Sequence, residues 1–333
     1  MSKARQLADL GNVYDDGGIS GSNLLINGNM EIAQRGSSQT TAGYGSIDRF
    51  FMSLSGATAT MSQESFTIGQ TDVAGSDKYL KLDVTTGNNN SGIYYKVEAK
   101  DAFPIIGKKV TLSYYAKGTS PTNGLEVAIA WYDGSTLSSP ETTTVTLTST
   151  WTKYTHTFDA PSITGLTLTN AAAYLELHWG QADTDTGTSA YEVNLAQAKL
   201  EIGDTATPFE HRSYGDELQR CQRYFNRYKT AGGYTLVIPS INGGTANARC
   251  AIALSTKLRT TPTVTPSSSD AMAIRNNGSF TFYTSTAVGL GSEQQVEPNF
   301  VALSVTVASG LTSASINLPY INTDGYIDCD AEL

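Results

Sequence analysis

Alternation of apolar and polar residues is the feature that most restricts the fold of this 333-residue chain. It recurs in four segments, KYLKLDV, KKVTLSYYAKG, GLEVAIAWYDG and AAAYLELHWG, which begin at residues 78, 108, 124 and 171. Side chains that alternate with period 2 line the two faces of a β-strand, and turn residues separate the segments. The pattern predicts an all-β fold, an antiparallel β-sandwich. A parallel α/β fold is excluded because no long helical pattern lies between the strands.

Composition limits the classes of partner. Charged residues are 16% of the chain and the formal net charge is −9, without a block of Lys or Arg. We expect no nucleic-acid partner, because phosphates are bound by clustered cations. We expect no membrane insertion either, since no run of ~18 apolar residues occurs. The three cysteines are far apart and odd in number, which fits folding in a reducing cytoplasm better than a disulfide framework.

Chain length and alternation predict two folded units with short connectors. At the N-terminus, Leu7 and Leu10 share one face of a short helix, which is marginal alone and must dock onto sister chains or a larger body. The predicted division is a helical segment and linker at 1–22, a β-sandwich at 23–213, a connector helix at 214–230, and a second, smaller β-sandwich at 231–333.

The segment KLEIGDTATPFEHRSYGDELQRCQRYFNRY, from Lys199 to Tyr228, changes from strand alternation to a helical pattern. Ser213 is placed to cap the helix, with Asp216 three residues on. Four apolar residues then follow at steps of 3, 4 and 3, as in a coiled-coil seam: Leu218, Cys221, Phe225 and Tyr228. Two interpretations stay open, a helix packed on the edge of its own sandwich and a short trimeric neck that holds three chains in register.

No enzyme motif is present, and we expect a protein without catalysis that requires no cofactor. The histidines, His156, His178 and His211, have no partner at metal-ligand spacing. No GxSxG elbow, Walker loop or GxGxxG after a strand occurs. Carboxylates abound, but a catalytic pair cannot be identified from the sequence alone.

The polar faces of the predicted strands favour sugar binding. The residues opposite the apolar positions include five candidates for glycan contact: Tyr115, Tyr132, Tyr174, Glu176 and His178. Aromatic planes cover the C–H faces of a pyranose, and polar tips bind its hydroxyls. The alternative is that these tyrosines are ordinary strand residues or lie in a subunit interface.

Several segments resemble a known family. NLLINGNMEIAQRG, which begins at Asn23, resembles the opening strand of jelly-roll modules related to carbohydrate-binding modules in bacteriophage tail-fibre proteins. SIDRFFM resembles the Asp-Arg-aromatic strand of that family, with Phe50 where Trp is usual. The segment from Ala196 to Tyr228 resembles the closing strand and the helix after it. LSTKLRTTPTVTPS and the terminal GYIDCDAEL resemble the β-module that often follows in such proteins.

The resemblance implies a virion component, a tail fibre made in the host cytoplasm and usually homotrimeric. Residues 1–22 would attach to phage tail or adaptor proteins, and the β-domains would face a glycan or receptor on the host surface. The resemblance also implies a structural Ca²⁺ with Glu31 as a ligand. Two alternatives stay open, a purely structural sleeve or capsid decoration and a tailspike-like enzyme that cleaves glycans. With the N-terminus anchored, we expect residues 231–333 to make the primary host contact and the jelly-roll face to be a secondary glycan site.

We predict that the isolated protein is a homotrimer. The short apolar seams, Leu7 with Leu10 and the four seam residues of the connector, gain stability only by burial against partner chains. Light scattering should therefore give roughly three times the chain mass of 35.4 kDa. The mass of a single chain would contradict a trimer in solution.

Overall fold

Nearly all the regular structure is β-strand, and the all-β prediction is confirmed. The computed structural model describes residues 23–182, 184–230, 235–238, 240–241, 244–276, 281–291, 296–297, 300–312 and 316–333. The chain forms two compact units, one that ends at Glu217 and one that spans Leu218–Glu332. Leu7 and Leu10 lie outside the described residues. Among the helices that the structure describes, none has the length and apolar character needed to cross a lipid bilayer.

The first unit is a jelly-roll sandwich of two antiparallel sheets. The six-stranded sheet has the order β1 (Ser38–Gln39), β3 (Thr58–Ser65), β4 (Lys78–Thr86), β11 (Tyr191–Ile202), β6 (Lys109–Thr119) and β9 (Thr152–Asp159). The five-stranded sheet has the order β2 (Phe50–Ser53), β5 (Gly92–Glu98), β10 (Tyr174–Gly180), β7 (Leu125–Tyr132) and β8 (Glu141–Val145). After β5 come a short helix α1 (Ala99–Ala102) and a 3₁₀ turn (Phe103–Ile105).

Alternate residues of the long strands face the space between the two sheets, as the sequence pattern predicts. On β10 the inward side chains Leu175, Leu177 and Trp179 are all 0% exposed. Trp131 of β7 is buried to the same degree. The Trp179 ring packs edge-on against Tyr114 of β6, with 5.9 Å between ring centroids. This contact joins the two sheets across the core.

β11 contains the bulge that its change of phase predicts. Its register with β6 shifts after Ala196, and Gln197 has a positive φ of 48°. The start of the first unit packs on this bulge. The Asn23 side-chain amide donates to the Ala198 carbonyl at 2.9 Å, and the Leu200 backbone N–H donates to Asn23 Oδ1 at 3.1 Å. Asn23 thus satisfies backbone groups that the bulge removes from the regular ladder.

The end of β11 is held by a buried charged network. The Lys199 ammonium lies 3.2 Å from the Glu201 carboxylate and donates to the Thr207 hydroxyl at 2.5 Å and the Pro208 carbonyl at 3.0 Å. Glu201 accepts a hydrogen bond from the Thr207 backbone N–H at 2.8 Å. Both charged side chains are buried. The Thr-Pro pair after the strand therefore folds back on β11 and closes the sandwich.

The connector helix α2 (Tyr214–Gln222) is shorter than predicted. Its predicted cap is confirmed: the Asp216 backbone N–H donates to Ser213 Oγ at 3.2 Å, and that hydroxyl donates to Asp216 Oδ2 at 2.7 Å. The prediction of a helix over residues 214–230 is wrong, because β12 (Phe225–Lys229) begins three residues after the helix ends.

The predicted helical seam is consequently wrong as well. Phe225 and Tyr228 lie on β12, which pairs with β22 (Tyr326–Asp330) near the C-terminus. Cys221 and Phe225 are buried within the chain, while Leu218 is half-buried. The four residues therefore do not form one exposed helical stripe. Backbone pairing with a distant strand outweighs the local helical pattern.

The second unit is also built of antiparallel sheets. One sheet has the order β12, β22 and β16 (Thr263–Pro266). The larger sheet has the order β13 (Thr235–Leu236), β21 (Ile316–Ile321), β17 (Met272–Asn276), β18 (Phe282–Leu290), β20 (Phe300–Val307) and β15 (Asn247–Ala253). Outside this path, β14 (Ser240–Ile241) pairs with β21 and β19 (Val296–Glu297) with β20. Cys250 and Cys329 are free thiols in the core.

Gly28 occupies a position where no side chain fits. A Cβ there would lie 2.2 Å from the Ala198 carbonyl oxygen, so the opening segment would have to move off the bulge of β11. We expect Gly28→Ala to lower the free energy of unfolding by about 1–3 kcal/mol in urea denaturation.

The matched control is Gly215→Ala in helix α2. No atom lies within 4 Å of the Cβ position of Gly215, and alanine favours a helix. This variant should leave the free energy of unfolding unchanged or raise it by up to about 1 kcal/mol. Equal losses in the two variants would contradict the close packing at Gly28.

Candidate functional site

The outer face of the five-stranded sheet concentrates aromatic and charged side chains. On β10, Tyr174, Glu176 and His178 point away from the core, because the residues between them point into it. β7 places Tyr132 on the same face, directly opposite Tyr174. Four of the five side chains that the sequence suggests for glycan contact therefore lie together.

Tyr115 is not part of this face, and its grouping with the other four is wrong. It lies on β6 in the six-stranded sheet, where its cross-strand neighbours are Ala196 and Lys153. Its side chain faces the opposite outer surface of the sandwich, since Tyr114 points into the core. Alternation identifies the face of a strand that a residue occupies, but it does not identify the sheet that the strand joins.

Strand pairing arranges the site in rows across β7, β10 and β5. The rows are Tyr132–Tyr174–Glu98, Ala130–Glu176–Lys96 and Ala128–His178–Tyr94. Neighbouring rows are about 7 Å apart, which is two residues along a strand. A charged row therefore lies between two aromatic rows.

The rings within each aromatic row contact one another. The Tyr132 and Tyr174 rings lie 4.9 Å apart at an angle of 37°. Tyr94 and His178 stack with 4.4 Å between centroids and 23° between ring planes. Rings that already support each other lose little freedom when a ligand covers them. Their faces are thus prepared for stacking.

His178 is fixed from two sides. Its Nδ1 lies 3.6 Å from Glu126 Oε1 on the neighbouring strand β7. Two paired glycines give its ring space, because a Cβ on Gly92 or Gly180 would lie 2.9 or 2.5 Å from His178 Nε2. The position of the imidazole thus depends on the absence of side chains at both glycines.

Lys96 supplies the cation of the middle row. Its Nζ lies 5.0 Å from the Phe51 ring centroid and 4.6 Å from that of Tyr174, both within cation–π range. The strand beneath it is tied down as well, since the buried Arg49 donates from Nη2 to the Lys96 carbonyl at 2.5 Å. The Lys96 ammonium also donates a hydrogen bond to the Leu333 oxygen at 3.3 Å, so two rings and an acceptor fix its position.

Glu176 lies half-buried beside this cation. Burial raises the pKa of its carboxyl from the ordinary 4.5 to about 7, although the charge of Lys96 and a hydrogen bond with Tyr174 oppose the shift. Burial, together with the nearby Glu176 carboxylate, also raises the pKa of Tyr174. Near neutral pH, Glu176 therefore exchanges between an O–H donor and a carboxylate acceptor.

Small side chains on β7 give the site its depth. Ala128 and Ala130 are 8% and 5% exposed, and they leave a trough beside Glu176 and His178. Leu137 and Pro140, from the segment after β7, line the cleft together with these residues. The cleft has a volume of about 570 Å³, within the range of pockets that hold small ligands. It can bind a ligand with apolar faces and polar edges.

Sequence reasoning missed four aromatic or charged side chains of the cleft, namely Phe51, Tyr94, Lys96 and Glu126. The segment GIYYKVE of β5 and the segment LEVAIAWY of β7 carry the alternation that places them outward. That signal was available in the sequence. The neighbour relation between β2, β5 and β10 was not, because it depends on long-range pairing.

Glu31 lies outside this cleft, near the start of the first unit. It accepts a hydrogen bond from the Asn29 side-chain amide at 2.6 Å and lines a separate hollow with Ser76 and Asp77. Among the described residues, no three His, Cys, Asp or Glu side chains come together as a metal-binding group. A calcium site at Glu31 therefore stays a prediction of the sequence resemblance.

Comparisons with known proteins give similarities of fold. No protein-family model matches the chain, and no curated protein matches it. The chain is similar to a family 11 carbohydrate-binding module of the cellulosomal cellulase Lic26A-Cel5E of Clostridium thermocellum, with 14% identity, 57% of this chain and 99% of that chain covered, and a TM-score of 0.33. It is also similar to the N-terminal cellulose-binding domain of Cellulomonas fimi β-1,4-glucanase C, with 16% identity, 53% and 100% coverage, and a TM-score of 0.29.

A third similar structure has two modules. It is the N-terminal tandem of family 22 carbohydrate-binding modules of Paenibacillus barcinonensis Xyn10C, with 12% identity, 93% of this chain and 96% of that chain covered, and a TM-score of 0.29. These values are too low for a function to be transferred. Only the residues of the chain itself can support one.

The raised pKa of Glu176 makes the stability of the first unit depend on pH. As pH rises from about 4.5 to about 7, the unfolded chain ionises this group while the folded chain keeps it protonated, so stability is lost across that window. Glu176→Gln removes the penalty. We expect the variant to match the wild type at pH 4 and to be more stable by about 1–2 kcal/mol at pH 8. The full shift in pKa, at ~1.4 kcal/mol per pKa unit, would give a larger difference, but the group is only half-buried and solvent reduces the effect.

Denaturant unfolding at the two pH values measures this difference. Glu141→Gln, which removes an exposed carboxylate at the start of β8, is the control and should keep the wild-type pH dependence. A Glu176→Gln variant whose advantage is the same at pH 4 and pH 8 would show that Glu176 is not held protonated by the fold.

Proposed function

We propose that the first unit binds a glycan chain in the cleft on its five-stranded sheet. The observation that carries the proposal is the arrangement of two packed aromatic rows on either side of the Glu176–Lys96 pair. Sugar rings present apolar C–H faces that stack on aromatic planes, and their hydroxyls need donors and acceptors at the edges. A single stacked ring contributes about 0.5–1.5 kcal/mol, so each cleft binds weakly.

We further propose that binding occurs without cleavage. Glycosidases place two carboxyl groups about 5–9.5 Å apart on either side of the scissile bond. The other carboxylate of the cleft, Glu126, pairs in register with Gly180, four residues along β10 from Glu176. The two backbone positions are therefore about 14 Å apart, and Glu126 lies beside His178 instead. Glu98, which pairs with Tyr174 in the row next to Glu176, is engaged in an ion pair with Lys100 at 3.0 Å. The positions of Glu126 and Glu98 support a binding module over a tailspike-like enzyme.

The biological role that we propose is that of a phage tail fibre which recognises the host surface. The support is the sequence resemblance of the opening segment, the closing strand and the terminal segment, with attachment through residues 1–22 and assembly in the host cytoplasm. A homotrimer would link three weak clefts, and the resulting avidity exceeds the affinity of any one of them. Primary host contact by residues 231–333 stays a prediction alongside the cleft.

Glycan binding by the cleft is tested by removing the Tyr132–Tyr174 pair. We expect Tyr132→Ala with Tyr174→Ala to abolish glycan binding, measured on a glycan array and then by calorimetry with the best oligosaccharide. The matched control is Tyr115→Ala, which removes a tyrosine from the opposite surface of the same unit and should leave binding unchanged. Thermal melting of both variants shows whether each remains folded.

The same purified protein tests whether the glycan is cleaved and whether the protein takes part in host recognition. The size of a bound polysaccharide should stay constant on prolonged incubation, and a fall in polymer size would favour the enzyme. The isolated protein should also block phage adsorption to host cells. Failure of the folded wild-type protein to bind any glycan would leave the structural alternative, a sleeve or capsid decoration.

A further inference from the structure

The loop between β10 and β11 contains two buried side-chain oxygens that have no hydrogen-bond partner among the described residues. They are Gln181 Oε1 and Asp185 Oδ2, and the two residues are 1% and 4% exposed. A buried acceptor without a donor costs free energy, and a buried charge without a partner costs more. The described part of the chain supplies neither partner.

We propose that this loop binds a calcium ion through the Asp185 carboxylate, the Gln181 amide oxygen and neighbouring backbone carbonyls. The site lies outside the glycan cleft, and the inference does not depend on the proposed function. It also differs from the calcium site that the sequence resemblance implies at Glu31.

The loop itself fixes the orientation of the Gln181 amide. Its Nε2 donates to the Asp185 carbonyl at 2.8 Å and to the Gly187 carbonyl at 2.6 Å. Exchange of the amide nitrogen and oxygen would place Oε1 against two carbonyl oxygens, so the partners determine which atom is which. Oε1 therefore points away from the only donors that the amide group could replace.

Backbone oxygens surround the same space, beside Gly87. A Cβ on Gly87 would lie 2.7 Å from Gln181 Oε1, 2.7 Å from the Ser189 carbonyl oxygen and 3.2 Å from that of Gly187. Gly87 is buried, and its lack of a side chain brings three oxygens around one point. All three are acceptors, which is the ligand set of a hard cation.

Asp185 supplies the negative charge of the site. Its Oδ1 accepts a hydrogen bond from the Gly187 backbone N–H at 2.9 Å, while Oδ2 has no partner. Among the residues that the structure describes, no Lys, Arg or His forms an ion pair with this carboxylate. A water molecule donates hydrogen bonds but does not balance a charge, whereas a cation satisfies the oxygens and balances the charge.

Calcium fits this set of oxygens better than magnesium does. Ca²⁺ takes about 6–8 oxygen ligands in flexible geometry, and it accepts amide and backbone carbonyl oxygens and waters beside carboxylates. Mg²⁺ demands a near-ideal octahedron and keeps several of its waters. With a single carboxylate, we expect a weak site with a Kd of about 10⁻⁴–10⁻³ M.

The loop is separate from the hollow at Glu31. The Gln181 backbone N–H and the Tyr191 hydroxyl donate to one carbonyl, that of the residue before β5, each at 2.8 Å. The loop therefore lies at the start of β11. The hollow at Glu31 contains Ser76, whose hydroxyl accepts from Gln197 at 3.0 Å. Gln197 lies about 20 Å farther along β11 than Tyr191.

Thermal unfolding of the full chain with and without Ca²⁺ tests the proposal. Protein stripped of metal with EGTA is melted in CaCl₂ at about 10 mM, roughly 10–100 times the expected Kd. MgCl₂ at the same concentration and NaCl at the same ionic strength are the comparison salts. We expect CaCl₂ to raise the melting temperature by roughly 3–10 °C, and the other two salts to raise it by much less.

Asp185→Asn assigns the response to the loop. Asparagine keeps an oxygen for the Gly187 N–H and removes the charge, so Ca²⁺ should no longer raise the melting temperature. In EGTA the variant should be at least as stable as the wild type, because it no longer buries an unpaired charge. The matched control is Glu31→Gln, which should keep the full response to Ca²⁺.

Terbium luminescence locates the ion without relying on stability. Burial raises the pKa of Tyr191 to about 12, and the charge of Asp185 adds to the rise although hydrogen bonds oppose it, so the two side chains lie close together. Tb³⁺ bound to the loop should therefore emit when tyrosine is excited, and excess Ca²⁺ should displace it. Tyr191→Phe should lower the emission, and Tyr115→Phe should leave it unchanged.

Two outcomes would overturn the inference. A melting temperature that CaCl₂ raises no more than MgCl₂ does would show that ordered water satisfies the loop. A response that Glu31→Gln removes and Asp185→Asn retains would place the ion at Glu31. Neither experiment contains a glycan, so glycan binding by the cleft stands or falls independently.

Discussion

The fold of the first unit depends on β11, because its opening segment and its closing segment both form hydrogen bonds with this strand. The opening segment attaches through Asn23 to the bulge of β11, and the closing segment attaches through Thr207 and Pro208 to Lys199 and Glu201. β11 also lies between β4 and β6 in the six-stranded sheet. The Asn23 contacts join residues 175 and 177 positions apart in the sequence, whereas the closing segment contacts residues 6 and 9 positions away. The opening contact therefore requires the larger loop closure in folding.

The charged pair on β11 explains why that closure is specific. Burying Lys199 and Glu201 costs desolvation free energy that their attraction alone does not recover, so every remaining donor and acceptor must find a partner. Thr207 supplies those partners through its backbone N–H and its hydroxyl. A segment that packed on β11 in another register would leave a buried charge without hydrogen bonds.

The sequence predicted the strands and their faces well, because alternation is a local property. It predicted Tyr174, Glu176 and His178 on one side of β10, and the bulge in β11 from a change of phase. It failed where the outcome depends on partners far away in the chain. Tyr115 was grouped with the wrong sheet, and Lys96 was overlooked, since only strand order shows that β5 lies beside β10. The spacing of Phe225 and Tyr228 fits a helical repeat as well as it fits a strand, and they form a strand because they pair with β22.

Substitutions at Ala128 and Ala130 can change the shape of the cleft without changing the core of the sandwich. Each stands between inward residues of β7, among them Ile129 and Trp131, that hold the sandwich together. An exchange at either alanine alters the floor of the trough and leaves the contacts between the sheets untouched. A bulky residue there would fill the trough and turn the groove into a flat patch. The depth of the groove is therefore set by two methyl groups, and substitutions at these two positions can change it without altering the core of the sandwich.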